Sequence, residues 1–154
     1  MEKPNYVTRG DIARLIPVTA DTSREQRALS ILLAAFRSVH EFRETMLNSV
    51  GVRLGKRASA QAWTEVTFSS DPKLSKSDRP DGLLIIDTGR KKWTALIEAK
   101  IGNSKIDEDQ IKRYIQIAKD NKIDAIITIS NEFTALPDHS PIPVSYTHLR
   151  AHET

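Results

Sequence analysis

Pro80-Asp81-Gly82-Leu83-Leu84-Ile85-Ile86-Asp87-Thr88-Gly89-Arg90-Lys91-Lys92-Trp93-Thr94-Ala95-Leu96-Ile97-Glu98-Ala99-Lys100 decides how the rest of this chain is read. Gly82 to Asp87 is a short apolar run of strand length, and Trp93 to Lys100 is a second. Between them Thr88-Gly89-Arg90-Lys91 has the composition of a tight turn. The spacing predicts two buried strands folded back on each other as a hairpin.

Working outward, Ala62-Trp63-Thr64-Glu65-Val66-Thr67-Phe68 is rich in β-branched and aromatic residues and reads as a strand, separated from the hairpin by the polar stretch Ser69 to Pro80. Beyond the hairpin, Asp107 to Asn121 reads as a helix through Ile111, Tyr114 or Ile115, and Ala118. Ile123 to Ser130 follows as one more buried strand. Upstream, Thr22 with Glu25 and Ser23 with Gln26 have capping-box spacing. Leu29, Leu32, Leu33, Phe36, Val39 (or His40), Phe42, Met46 and Leu47 then recur at steps of three and four, which predicts one long amphipathic helix to about Asn48. The order helix, three strands, helix, strand is an α/β architecture with a mixed sheet. A helical crossover brings in the last strand, which is expected to lie parallel to a strand already present.

Residues 1–22 read as an N-terminal arm with a short helix from Thr8 or Asp11 to Ile16, because Pro17 disfavours helix at the residue before it. Residues 23–144 are the expected domain. Ser145 to Thr154 fits nothing before it and resembles a translated, adapter-like tail, so a natural continuation different from this one is expected after about Val144.

The 154 residues suit about one domain. Hydrophobic residues make up 39% and charged residues 28%, which excludes a disordered tail, and no apolar run is long enough for a membrane-spanning helix. The N-terminus lacks the order of a secretory signal, so a cytoplasmic location and no membrane partner are expected. With no cysteine there is no disulfide, thiolate nucleophile, cysteine zinc site or iron–sulfur cluster. Lys and Arg number 23 against 20 Asp and Glu, a net charge of +3 that permits a nucleic-acid partner without demanding one.

The chemistry concentrates where the hairpin strands meet. Asp81 opens the first strand, while Glu98 and Lys100, two apart, share one face at the end of the second. Antiparallel pairing sets Asp81 beside Glu98 and Lys100. A strand apolar through Ala95, Leu96 and Ile97 ends in a charged pair only for a reason, since unpaired buried charge is expensive. Two carboxylates at one sheet edge are a hard-oxygen ligand set for Mg²⁺, with Mn²⁺ able to substitute. Lys100 is then placed to orient or deprotonate a water, or to stabilise charge on a phosphate. Other motifs fail: Gly51 to Arg57 is too short for a phosphate-binding loop and lacks the hydroxyl after Lys56. His40 reads as a core-edge histidine and His139 as a loop residue.

With Arg79-Pro80-Asp81-Gly82, Ile97-Glu98-Ala99-Lys100 and Gln110-Ile111-Lys112-Arg113-Tyr114 in hand, the sequence resembles the PD-(D/E)xK nuclease superfamily over residues 24–130. Gln110 and Tyr114, one helical turn apart, match the QxxxY motif of its RecB-type and Cas4-type branch. The resemblance implies a restriction-endonuclease-like αβββαβ core and a Mg²⁺-dependent nuclease, DNA favoured as substrate. Asp81 and Glu98 are then the metal ligands, Lys100 handles the attacking water, and Gln110 with Tyr114 positions the site or the nucleic-acid backbone. It also implies an upstream acidic ligand, for which Glu65 is preferred over Glu41 and Glu44. Arg79, Lys56, Arg57, Lys76 and Lys112, with Arg53, Lys73 and Lys105, are candidates for phosphate contacts, which give affinity rather than sequence specificity. A homodimer or larger complex is compatible with the resemblance. The alternatives are a catalytically inactive nuclease-fold module binding nucleic acid or a partner protein in a defence or repair complex, and the same fold acting on another phosphate-containing substrate.

Overall fold

A computed structural model describes residues 2–16, 24–55, 57–70, 79–100 and 107–130. Five strands form one mixed sheet: β1 (Val7–Ile12), β2 (Ser59–Phe68), β3 (Gly82–Asp87), β4 (Lys92–Lys100) and β5 (Ala125–Ser130), in that spatial order. Among the described residues three helices flank it: α1 (Arg24–Ser38), α2 (His40–Ser49) and α3 (Glu108–Asn121). None is long and apolar enough to cross a membrane.

The hairpin forms as expected. Gly89 takes φ +82° in the turn, its amide donates to Asp87 Oδ1 at 2.8 Å, and Thr88 N donates to the Lys91 carbonyl at 3.0 Å. From there the register runs Asp87 opposite Lys92 down to Gly82 opposite Ile97. The crossover through α3 brings β5 in parallel to β4, Ala95 beside Ala125. Asp124 secures that start, since its carboxylate accepts from both the amide (2.7 Å) and the hydroxyl (2.9 Å) of Thr94.

Period-two alternation splits the central strands between two cores. Ala62, Leu84, Ile86, Ala95, Ile97 and Ala99 pack with Leu29, Leu33, Phe36 and Leu47 of α1 and α2. Trp63, Leu83, Ile85 and Leu96 pack with Ile111, Tyr114, Ile117 and Ala118 of α3. Burial on both faces is why the strands read as unbroken apolar runs. α3 is capped by Asp107, whose side chain accepts from Asp109 N, and ends on Lys122 in the left-handed region, with Ile123 N closing on the Ala118 carbonyl at 2.8 Å.

Three sequence expectations are corrected. The arm carries no helix at Thr8 to Ile16: Val7–Ile12 is an edge strand antiparallel to β2. β2 offered an unpaired row of amides and carbonyls, and Tyr6 stacks on Phe68 beside it (centroids 6.3 Å), tertiary gains that outweigh a short uncapped helix. The single long helix is divided at Val39, whose backbone is extended (φ −108°, ψ 107°). The buried Arg43 guanidinium donates to the carbonyls of Phe36 (3.1 Å) and Arg37 (2.8 Å), which a straight helix would offer to residues 40 and 41. A side chain inserted into the ladder is a recognised cause of such a bend. β2 also begins three residues earlier than expected, at Ser59. The tail at 145–154 lies outside the described residues.

Gly82 lies beneath Leu33 of α1. A Cβ there would stand 2.7 Å from Leu33 Cδ1 and 3.2 Å from the Trp63 carbonyl oxygen. Leu33 is itself 1% exposed and has little room to yield. Gly82→Ala is expected to destabilise the protein by about 1–3 kcal/mol, the usual cost of overpacking, read from the urea midpoint; an unchanged midpoint would refute this packing account.

Candidate active site

The hairpin register builds the site. Gly82 sits opposite Ile97, so the residue before β3 and the residue after Ile97 are neighbours. Ile97 and Ala99 belong to the α1–α2 face and Leu96 to the α3 face, which sends Glu98 toward α3 by alternation. Asp81 is fixed to the same strand end, because its Oδ2 accepts the amide of Ala99 at 2.9 Å. Lys100 Nζ stands 2.6 Å from Glu98 Oε1. The structure thus brings together Asp81, Glu98 and Lys100, as the sequence reading expected.

Glu98 has no solvent exposure, and α3 supplies its support. Tyr114, equally buried, places its hydroxyl 2.8 Å from Glu98 Oε2 and 2.9 Å from the Arg79 carbonyl. That hydroxyl has one proton for two acceptors, and the charged one is the stronger. Gln110 Nε2 donates to the tyrosine oxygen at 2.7 Å, leaving its proton for those acceptors. Gln110 and Tyr114 act on the site through Glu98 and the Arg79 backbone, as positioning residues. Glu98 Oε1 is sealed from solvent, and Lys100 faces it as an ion pair.

The electrostatics are those of crowded carboxylates. Burial, then the neighbouring Glu98 charge, push the Asp81 carboxyl up to about 7, against the lowering influence of the Ala99 amide and Lys100. Burial alone would lower Lys100, but Glu98, Asp81 and Glu25 outweigh it and hold the ammonium above its ordinary value. Tyr114 is pushed well up by burial and by Glu98, so it remains a proton donor. Lys100 is therefore a firm cation here, which favours charge stabilisation over the proton abstraction weighed from the sequence.

Glu65 reaches the neighbourhood by a backbone irregularity. Trp63 and Val66 face the same core although three residues apart, and between Arg9 and Asp11 the register passes from Thr67 to Thr64. Glu65, at φ +51°, is the bulge that takes up the extra residue. Its amide donates to the Asp81 carbonyl at 3.1 Å and its Oε1 accepts from Gln26 Nε2 at 3.1 Å. Glu65, Gln26, Arg79, Pro80 and Asp81 line one polar cleft. Among the described residues no three His, Cys, Asp or Glu side chains form a metal-holding group. Asp81 and Glu98 are a pair, a number sufficient for Mg²⁺, which commonly takes one or two carboxylates and keeps waters.

The remaining candidates are dispersed. Glu41 and Glu44 are exposed on α2, with Glu44 3.9 Å from His40. Lys112 is exposed and pairs with Glu108 (2.9 Å) and Asp109 (3.5 Å), while Arg53 and Arg57 are exposed after α2. Lys56, Lys73, Lys76 and Lys105 lie outside the described residues. The sequence reading missed Glu25 and Gln26, taking them as capping residues; they stand in the first turn of α1, where Glu25 acts on both Asp81 and Lys100. No pattern in the sequence marks them, because only the docking of α1 over the sheet brings them there.

No family model, curated protein or solved structure matches the chain.

The raised Asp81 carboxyl has a measurable consequence. The folded state keeps a proton that the unfolded state releases at about 4, so Asp81 makes stability fall as pH rises from about 4 to about 7. In EDTA at pH 8, Asp81→Asn, which keeps an acceptor for the Ala99 amide, should be more stable than wild type by about 1–3 kcal/mol, with the advantage fading toward pH 4. Chemical denaturation across that pH range checks this; a wild type as stable as the variant at pH 8 would show that Asp81 carries no such penalty.

Proposed function

We propose that this protein is a Mg²⁺-dependent nuclease of the PD-(D/E)xK type that hydrolyses phosphodiester bonds of nucleic acid, DNA first. The observation that carries the reading is the meeting of Asp81, Glu98 and Lys100 at one strand end, with buried Glu98 held by Tyr114 and Gln110 from the following helix. The element order supports it. After α1 and its continuation α2 come three antiparallel strands, a helix, and a strand parallel to β4, an αβββαβ order of the restriction-endonuclease-like kind to which β1 is added at the edge.

The donor set fits a hard divalent cation. Burial and then the neighbouring Glu98 charge raise Asp81 to about 7, and the sealed Oε1 of Glu98 has a cation, Lys100, against it already. Asp81 and Glu98 would hold the ion; Glu65 lines the same cleft as Asp81 but, among the described residues, forms no third member of a metal-holding group. When bound, such an ion neutralises phosphate charge and lowers the pKa of a water. Lys100 contributes a permanent positive charge beside the phosphate, the electrostatic stabilisation such reactions rely on. Gln110 and Tyr114 hold Glu98 in place, and Arg79 lines the cleft where a phosphate would enter. Phosphate contacts of this kind serve any sequence, so the site implies no base preference.

The deciding experiment is cleavage of labelled single- and double-stranded DNA and RNA by the full chain with Mg²⁺, Mn²⁺ or EDTA. Cleavage should require the cation and fall about 100-fold or more in Asp81→Ala and in Lys100→Ala, the scale of losing one charge-stabilising group. Retardation of nucleic acid without cleavage would replace this reading by that of a binding module, and neither would remove nucleic acid as the substrate.

A further inference from the structure

Glu98 is the most deeply buried charge of the site, and its two oxygens are committed differently. Oε2 is taken by the Tyr114 hydroxyl at 2.8 Å, a neutral donor rooted in α3. Oε1 is sealed from solvent and faces the ammonium of Lys100, Nζ at 2.6 Å. Asp81 in turn has Oδ2 committed to the Ala99 amide at 2.9 Å. On Glu98, Oε1 is therefore the oxygen a cation entering between the two carboxylates would meet, and an ammonium already occupies it.

Resting on the metal-dependent reading above, we propose that Lys100 is a resident counter-ion of Glu98, displaced when a divalent cation arrives, so that its ammonium turns to the cleft only in the loaded protein. A buried carboxylate needs a positive partner in order to stay ionised, and Lys100 supplies one while no metal is bound. Magnesium seats about 2.0–2.1 Å from its oxygens, and two cations against one oxygen in a low-dielectric site repel strongly. Of the two, the lysine is the one able to leave. It is the last residue of β4, its side chain is 19% exposed against 0% for Glu98, and its stem has four flexible carbons. The exchange makes the site self-ordering: the ammonium that would meet a substrate phosphate is released by the same event that loads the cation.

The test reads the amine itself. The full chain is labelled briefly with acetic anhydride in EDTA or in saturating Mg²⁺, and modification of Lys100 is quantified by mass spectrometry against the exposed Lys91 and Lys92. Displacement predicts labelling of Lys100 about tenfold faster in Mg²⁺, the scale of moving an amine from mostly paired to mostly released, with no metal effect in Asp81→Asn. In parallel, Mn²⁺ binding is followed by electron paramagnetic resonance, where Lys100→Met should bind about tenfold more tightly because the competitor is gone. Equal or slower labelling in Mg²⁺ while Mn²⁺ still binds wild type overturns the exchange and leaves the metal site standing. No Mn²⁺ binding to wild type at millimolar concentration overturns the exchange and the metal-dependent reading together.

Discussion

The antiparallel register of β3 and β4 is the constraint on which the rest depends. With Gly82 opposite Ile97, both faces of the hairpin become apolar and demand cover, which α1 with α2 supplies on one side and α3 on the other. The same register ends both strands at one edge and sets Asp81 against the Ala99 amide. A slip of one residue would turn Glu98 into the α1–α2 core and Ile97 toward Tyr114, exchanging a supported charge for a stranded one. Packing and placement of the charged cluster are thus two results of one pairing.

The cluster is held at some cost to the fold. Asp81, with its carboxyl raised to about 7, is a group the folded state would rather keep neutral, and Glu65 occupies a left-handed conformation that a glutamate does not choose. Both are over-determined by their surroundings: Asp81 by the Ala99 amide, Glu65 by its own amide on Asp81 and by Gln26 on its carboxylate. The buried Tyr114 and Gln110 pair extends that support from α3. Destabilised groups braced from three elements suit a site kept for chemistry better than one kept for stability.

Much of this was legible in the chain because the informative signals are local. Strand length and apolar content between turn residues identify β3, β4 and β5, and the 3.6-residue period identifies α3. Asp81, Glu98 and Lys100 were legible because each stands at a fixed step from a strand end, whereas Gln110 and Tyr114 were marked by the resemblance to a QxxxY motif. What was not legible depends on partners remote in sequence. Val7–Ile12 became a strand because the edge of β2 was open to it. The bend at Val39 follows from Arg43 reaching back to two carbonyls that no propensity singles out.

The sequence by itself therefore determined the hairpin, the crossover that lays β5 parallel to β4, and the candidate triad, since alternation and turn chemistry act over a few residues. Only the tertiary structure decided which further groups stand near the triad. Glu25 and Gln26 arrive because α1 docks closely over Gly82, and Glu65 arrives because a bulge turns β2 by one step. Glu41 and Glu44, of the same chemistry and on the same predicted helix, stay exposed on α2. The physical reason is that a carboxylate's character is written in the residue, while its neighbours are chosen by packing across the whole fold.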